Sequence, residues 1–222
     1  MNVPESKVEV TGFEARHYDL LLKLGSFGKY NRALKEAIKD MNIQVDDAIL
    51  DLGCGTGHND CLMAGYLNQG GEITGLEIGE EMISQFHANC GDRQNVSLLV
   101  KRIEEPLPFV SEFDKAFISF VFHGFPDGDR QKIAANVLRA LKPGGEFFIF
   151  DFNEFDLRVQ PWWFRTLFLK GECPLAHQYI AVDWKKRLKE WGFDHFEEFF
   201  YLKEKIRLLK AVKAEIRKHG NG

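Results

Sequence analysis

Apolar residues three and four apart predict helices over 13–24 and 30–41, and Gly25-Ser26-Phe27-Gly28 separates them. From Asp46 the pattern changes to short apolar runs alternating with amphipathic stretches. The runs are AILDL, EITGLEI, VSLLVK, FDKAFISFVF and EFFIFDF. Between them the spacing predicts helices near 58–67, 80–89 and 129–141, the last stopped by Pro143-Gly144-Gly145. Alternation of this kind builds a parallel sheet, and near-continuous apolar strands belong to a sheet covered on both faces. After Asn153 comes a stretch rich in rings (Phe155, Trp162, Trp163, Phe164, Phe168), then a helix over 182–191 that Gly192 caps. Two strands, 193–201 and 206–213, close the chain around the charged turn LKEK. No repeat or linker interrupts the pattern. Residues 1–222 therefore read as one α/β domain: a helical cap over 1–42, a core over 43–152, and an insertion with closing strands over 153–222.

Composition narrows the partners. With 45% hydrophobic and 28% charged residues in 222, the chain can bury one core and remain soluble. A net charge of -4 disfavours a phosphate-binding surface, so nucleic acid is not an expected partner. Lys203, Lys205, Arg207, Lys210, Lys213, Arg217 and Lys218 form a local basic stretch, expected to be a solvated strand face and tail. Cys54, Cys61, Cys90 and Cys173 share no metal-ligand spacing, and no apolar leader follows Met1, so free thiols in a cytoplasmic protein are expected. The apolar runs are too short to span a bilayer.

Candidate chemistry begins at ILDLGCGTG, where a buried strand runs into Gly53, Gly55 and Gly57 with Asp51 before them. Glycines at this spacing permit a tight turn and close approach of a ligand, as in nucleotide-binding crevices. The pattern is GxGxG, whereas dinucleotide enzymes carry GxGxxG. The next strand ends at Glu77, whose carboxylate can accept hydrogen bonds from both hydroxyls of an adenosine ribose.

ILDLGCGTG, GLEIGEEMI, EEPLPF, FD and LRALKPGGEFFIFDF occur in the order seen in class I S-adenosylmethionine (SAM)-dependent methyltransferases, which the chain resembles over 46–151. The resemblance implies a Rossmann-like, mostly parallel seven-stranded sheet with an antiparallel last strand. It also implies that Gly53, Cys54, Gly55, Thr56 and Gly57 cradle the methionine part of SAM, with Asp51 near its amino group. Glu77 would hold the ribose, Ile78 would lie against adenine and Met82 nearby. Where many relatives carry an acid for the adenine amino group, this chain has Arg102-Ile103, leaving the backbone of Ile103, or Glu104, for that contact. Ser119, near the end of the fourth strand, is another position where the family brings backbone close to SAM.

HYDLLLKLGSFGKYNR resembles a stretch of the ubiquinone and menaquinone C-methyltransferases, whereas FVFHGFPDGDR is closer to general small-molecule methyltransferases. The resemblance implies a small apolar or aromatic acceptor, a quinone precursor being one. The NPPY-like segment of nucleobase amino methyltransferases is replaced by SFVFHGFPD. His17, Tyr18 and His123 are the candidate bases; each also suits an ordinary structural role. The ring-rich insertion suits a lid over the acceptor, and equally a packed core, a membrane edge or the surface of a homodimer. A catalytically silent SAM-binding protein and an NAD-dependent oxidoreductase are the alternatives.

Overall fold

The computed structural model describes residues 29–214. The expected helix over 13–24, with His17 and Tyr18, lies outside the described residues, as do Arg217 and Lys218.

Helix α1, Lys29–Asp40, exists because Ala33, Leu34, Ala37 and Ile38 share one face, and that face is buried. The chain then alternates: β1 Ala48–Leu52, α2 His58–Met63, β2 Glu72–Glu77, α3 Glu80–Cys90, β3 Val96–Val100, β4 Phe113–Ser119, α4 Asp127–Ala140 and β5 Leu141–Phe152. Two helices of the ring-rich insertion follow, α5 Trp162–Gly171 and α6 Pro174–Tyr179, then α7 Trp184–Trp191, β6 Phe193–Tyr201 and β7 Ile206–Lys213.

The seven strands form one sheet in the order β3-β2-β1-β4-β5-β7-β6. β1 to β5 pair in parallel, and β7 is antiparallel to both β5 and β6. Alternate strand residues divide between two cores. Ile49, Ile73, Phe117, Phe148, Phe150 and Leu208 meet α1, whereas Leu50, Leu76, Ala116, Ile118, Phe147, Ile149 and Leu209 meet Ile133, Val137, Trp184 and Leu188 of α4 and α7. Burial on both faces explains the continuous apolar runs. Gly192, at φ 110°, caps α7 as expected.

Four expectations need correction. The fourth strand stops at Ser119 rather than continuing through Phe122, because Phe120 turns into the left-handed region at φ 53° and Phe122–Gly124 forms a 3-10 turn. Pro143-Gly144-Gly145 does not precede β5 but bulges within it: pairing jumps from Phe113–Leu141 to Lys115–Glu146, with Gly144 at φ 73°. Arg207 belongs to no solvated face; it is buried and paired with Glu154 and Glu198. Finally, not all thiols are free. Helices α2 and α3 bring Cys61 and Cys90 together as a disulfide, a juxtaposition their 29-residue separation does not reveal, while Cys54 and Cys173 remain free.

Candidate functional site

In an open α/β sheet the crevice opens at the carboxyl ends of the strands, where connections leave in opposite directions. Here that point lies between β1 and β4, with β2 and β5 outside them.

On the β1 side the site is made of backbone. Gly53, Gly55 and Gly57 all have positive φ (75°, 57° and 75°), a conformation that side chains resist. Their surroundings differ. A Cβ on Gly53 would lie 2.9 Å from Val121, and one on Gly57 would lie 2.7 Å from Phe86, so both are closed in by packing. A Cβ on Gly55 would meet nothing within 4 Å. The loop thus has one glycine facing open space, as a cradle that admits a ligand requires.

The Gly53 and Cys54 N–H groups both donate to the Leu76 carbonyl, tying the loop to β2. At the end of β2, Glu77 accepts three backbone N–H groups: Gly55 on Oε2 at 3.0 Å, and Ile78 and Gly79 on Oε1 at 2.7 and 2.8 Å. Its carboxylate is therefore fixed across the loop. Ile78 is half-buried beside it, and Met82, Cys54 and Thr56 are buried.

Beneath the loop sit two carboxyls, Asp51 of β1 and Asp60 of α2. Both are fully buried, and neither has a hydrogen-bond donor among the described residues. Ionised carboxylates only accept, so a shared proton supplies their mutual bond. Burial raises both, Asp51 well above its ordinary value and Asp60 to about 7; for Asp51 the adjacent Asp60 charge adds to the effect. Sequence reading missed Asp60, since an acid in a first helical turn carries no signal of what lies behind it.

Three more expected cofactor positions lie outside the glycine loop. Ile103 is buried in the core, and its carbonyl accepts from Asn136 at 2.9 Å. Glu104 is engaged by Arg102 at 2.6 Å. Ser119 is buried at the end of β4, its hydroxyl without a partner among the described residues.

On the β4–β5 side the site is made of side chains. His123 sits in the 3-10 turn after β4. Its Nδ1 lies 2.8 Å from Asp151 Oδ1, and its backbone N–H donates to Oδ2 at 3.1 Å. Asp151, near the end of β5, also accepts the Phe152 N–H and is buried. Because a carboxylate only accepts, Nδ1 carries the proton and Nε2 is left as the basic nitrogen. Burial alone would lower the His123 pKa. The charge and hydrogen bond of Asp151, with the charge of Glu172, overcome that and raise it above 6.5.

Arg130 of α4 fixes the turn. It is buried, donates to the Phe122, His123 and Leu175 carbonyls, and lies 5.3 Å from the ring centres of Tyr179 and Trp184. Phe120, Phe152 and Tyr179 surround His123, with ring centres 6.3, 5.2 and 6.3 Å away. Asp151 and Arg130 were not singled out from sequence; an acid ending the strand EFFIFDF at the carboxyl edge was the available signal for the first.

Comparison with known proteins agrees with this geometry. Residues 49–145 match the family model described as a methyltransferase domain. A demethylmenaquinone methyltransferase of Listeria welshimeri is 28% identical over 174 residues, covering 76% of this chain and 71% of that protein. One of Oceanobacillus iheyensis is 28% identical over 201 residues, covering 81% and 83%. Among solved structures, a SAM-dependent methyltransferase from Aquifex aeolicus superposes with a TM-score of 0.60 at 17% identity, covering 82% of this chain and 89% of that one. With the strand order and the glycine cradle beside Glu77, these matches make residues 49–145 similar to a methyltransferase domain, on the Rossmann-like fold that SAM-dependent methyltransferases share.

Proposed function

We propose that the chain, one domain over 1–222, methylates a small, largely apolar aromatic acceptor bearing an ionisable hydroxyl, the class to which reduced quinone precursors belong. The observation that carries this reading is the His123–Asp151 pair set among rings at the carboxyl edge. The name shared by the relatives, demethylmenaquinone methyltransferase, supports the same class.

SAM, when bound, supplies a methyl group activated on a sulfonium. The backbone of Gly53 to Gly57 would hold its methionine part, above Asp51. Glu77 would take the ribose: the Gly55 N–H makes the longest of its three bonds, the one a ligand hydroxyl can replace. Ile78 and Met82 would flank adenine, with the Ile103 backbone or Glu104 at its edge and Ser119 near the transfer point. His123 Nε2 would take the acceptor hydroxyl proton, leaving an electron-rich ring or oxygen for transfer. Asp151 would stabilise the imidazolium formed, and the rings would exclude water. Positioning supplies most of the remaining rate. His17 and Tyr18 stay as further acceptor-side candidates.

Reduced quinone precursors, simple phenols and polar amines, each assayed for S-adenosylhomocysteine release, test the reading. Turnover on quinols and phenols is expected, rising with pH as His123 loses its proton. Asp151→Asn removes the charge that raises the His123 pKa and should move that rise to lower pH. Efficient methylation of polar amines, with His123 and Asp151 variants unaffected, would overturn it; SAM binding with no product on any acceptor would favour a silent binding protein.

A further inference from the structure

Helix α5 is apolar on two opposite sides. Phe164 and Phe168 turn inward, where Phe168 packs on Phe152 and Phe155 at 5.1 and 5.6 Å between ring centres. The opposite side should then be polar, as on an ordinary surface helix. Instead Trp162 is 74% exposed, Trp163 57% and Leu169 48%, and Val159 just before the helix is 76% exposed. Large rings left in water beside one another mark an interaction surface.

Charge identifies the occupant. From Leu157 to Gly171 the segment holds Arg158, Arg165 and Lys170 and no acid, in a chain of net charge -4. Arg158 is paired with Asp156, whereas Arg165 and Lys170 make no ion pair among the described residues. Glu172, the next acid, faces His123 Nε2 at 4.0 Å. A second copy docked by two-fold symmetry would set this cationic face against itself. Tryptophans with an apolar body and a polar N–H, flanked by long cationic side chains, match the headgroup level of a bilayer.

We infer that α5 docks the protein on an anionic lipid surface, with Trp162, Trp163 and Leu169 at headgroup depth and Arg165 and Lys170 on lipid phosphates. The docked helix ends next to Glu172, 4.0 Å from His123 Nε2, so an acceptor dissolved in lipid would enter there. Docking itself does not depend on the proposed acceptor.

Sedimentation with vesicles of equal parts phosphatidylglycerol and phosphatidylcholine, free of any acceptor, tests the inference. The chain should co-sediment with these and not with phosphatidylcholine alone. Brominated lipid should quench tryptophan emission, a signal lost in Trp162→Ser/Trp163→Ser. That variant should lose at least about tenfold in partitioning, and Arg165→Gln/Lys170→Gln roughly 25-fold, about fivefold for each cation. Both change exposed side chains, so unfolding temperature and SAM affinity should hold. Absence of binding to anionic vesicles, or equal binding by both variants, would overturn the inference. So would a concentration-dependent dimer that the tryptophan variant abolishes. Because the vesicles hold no acceptor, neither result bears on the choice of acceptor.

Discussion

The two sides of the crevice are built differently. On the β1–β2 side, turn geometry and backbone N–H groups do most of the shaping: three glycines at positive φ, and one carboxylate held by three amides. On the β4–β5 side, side chains from separate elements converge: His123 after β4, Asp151 on β5, Arg130 on α4 and Glu172 after α5. A backbone site fails when a side chain intrudes. A side-chain site fails when a functional group or its support is removed. The two therefore respond to different substitutions, and each response can be measured separately.

The largest effect is expected on the side-chain half. His123→Ala should lower turnover roughly 100- to 10,000-fold, the usual contribution of a general base, while leaving SAM affinity within about twofold. Single-turnover assays beside a SAM titration separate the two quantities. A matching loss of SAM affinity would show that His123 belongs to the cofactor half. The converse change is Gly55→Val, which should weaken SAM binding by about 100-fold or more, about 3 kcal/mol. Its Cβ meets open space within the crevice, although φ 57° adds backbone strain. Gly57→Val, driven into Phe86 at 2.7 Å, should instead lower the unfolding temperature. If both glycine variants bind SAM normally in a folded protein, the loop is no cradle.

Legibility in sequence follows the same division. The parallel sheet, its closing hairpin and the GxGxG turn were all readable, because periodicity and glycine spacing act over a few neighbouring residues. Glu77 was readable because it ends the strand after that turn. The His123–Asp151 pair was only half readable: 28 positions separate the two, and only adjacency of β4 and β5 unites them. Phe120 was hidden for another reason, since a bulky residue at φ 53° contradicts local preference and is held there by its N–H bond to the Phe150 carbonyl and by ring contacts with Phe150 and Phe152. The bulge at Pro143 to Gly145 read as a stop because proline and glycine punctuate chains in the same way whether a strand ends or only bends.

A smaller effect probes the carboxylate of the backbone half. Glu77→Ala should weaken SAM binding by about 1–3 kcal/mol, the range for hydrogen bonds to a charged acceptor. Glu77→Gln should recover part of that loss, since an amide oxygen still accepts. Calorimetry on both variants decides the point: unchanged affinity in Glu77→Ala would remove it from the ribose site.

A last effect, read as a change of slope with pH, concerns a part of the backbone half that depends on buried side chains, the Asp51–Asp60 pair. In the unfolded chain Asp60 ionises near 3.8, whereas burial raises it to about 7 in the folded protein. Between those values the folded state keeps a proton that the unfolded state has lost. Stability must therefore fall as pH rises through this window, by at most about 1.4 kcal/mol per pH unit for one proton. Asp60→Asn cannot ionise, and its amide gives Asp51 a donor, so its unfolding free energy should vary less between about pH 5 and 7. Urea denaturation across that range measures the slope directly. If wild type and Asp60→Asn lose stability in parallel, the proton is held elsewhere, and the floor of the cradle is as independent of side-chain titration as its backbone walls.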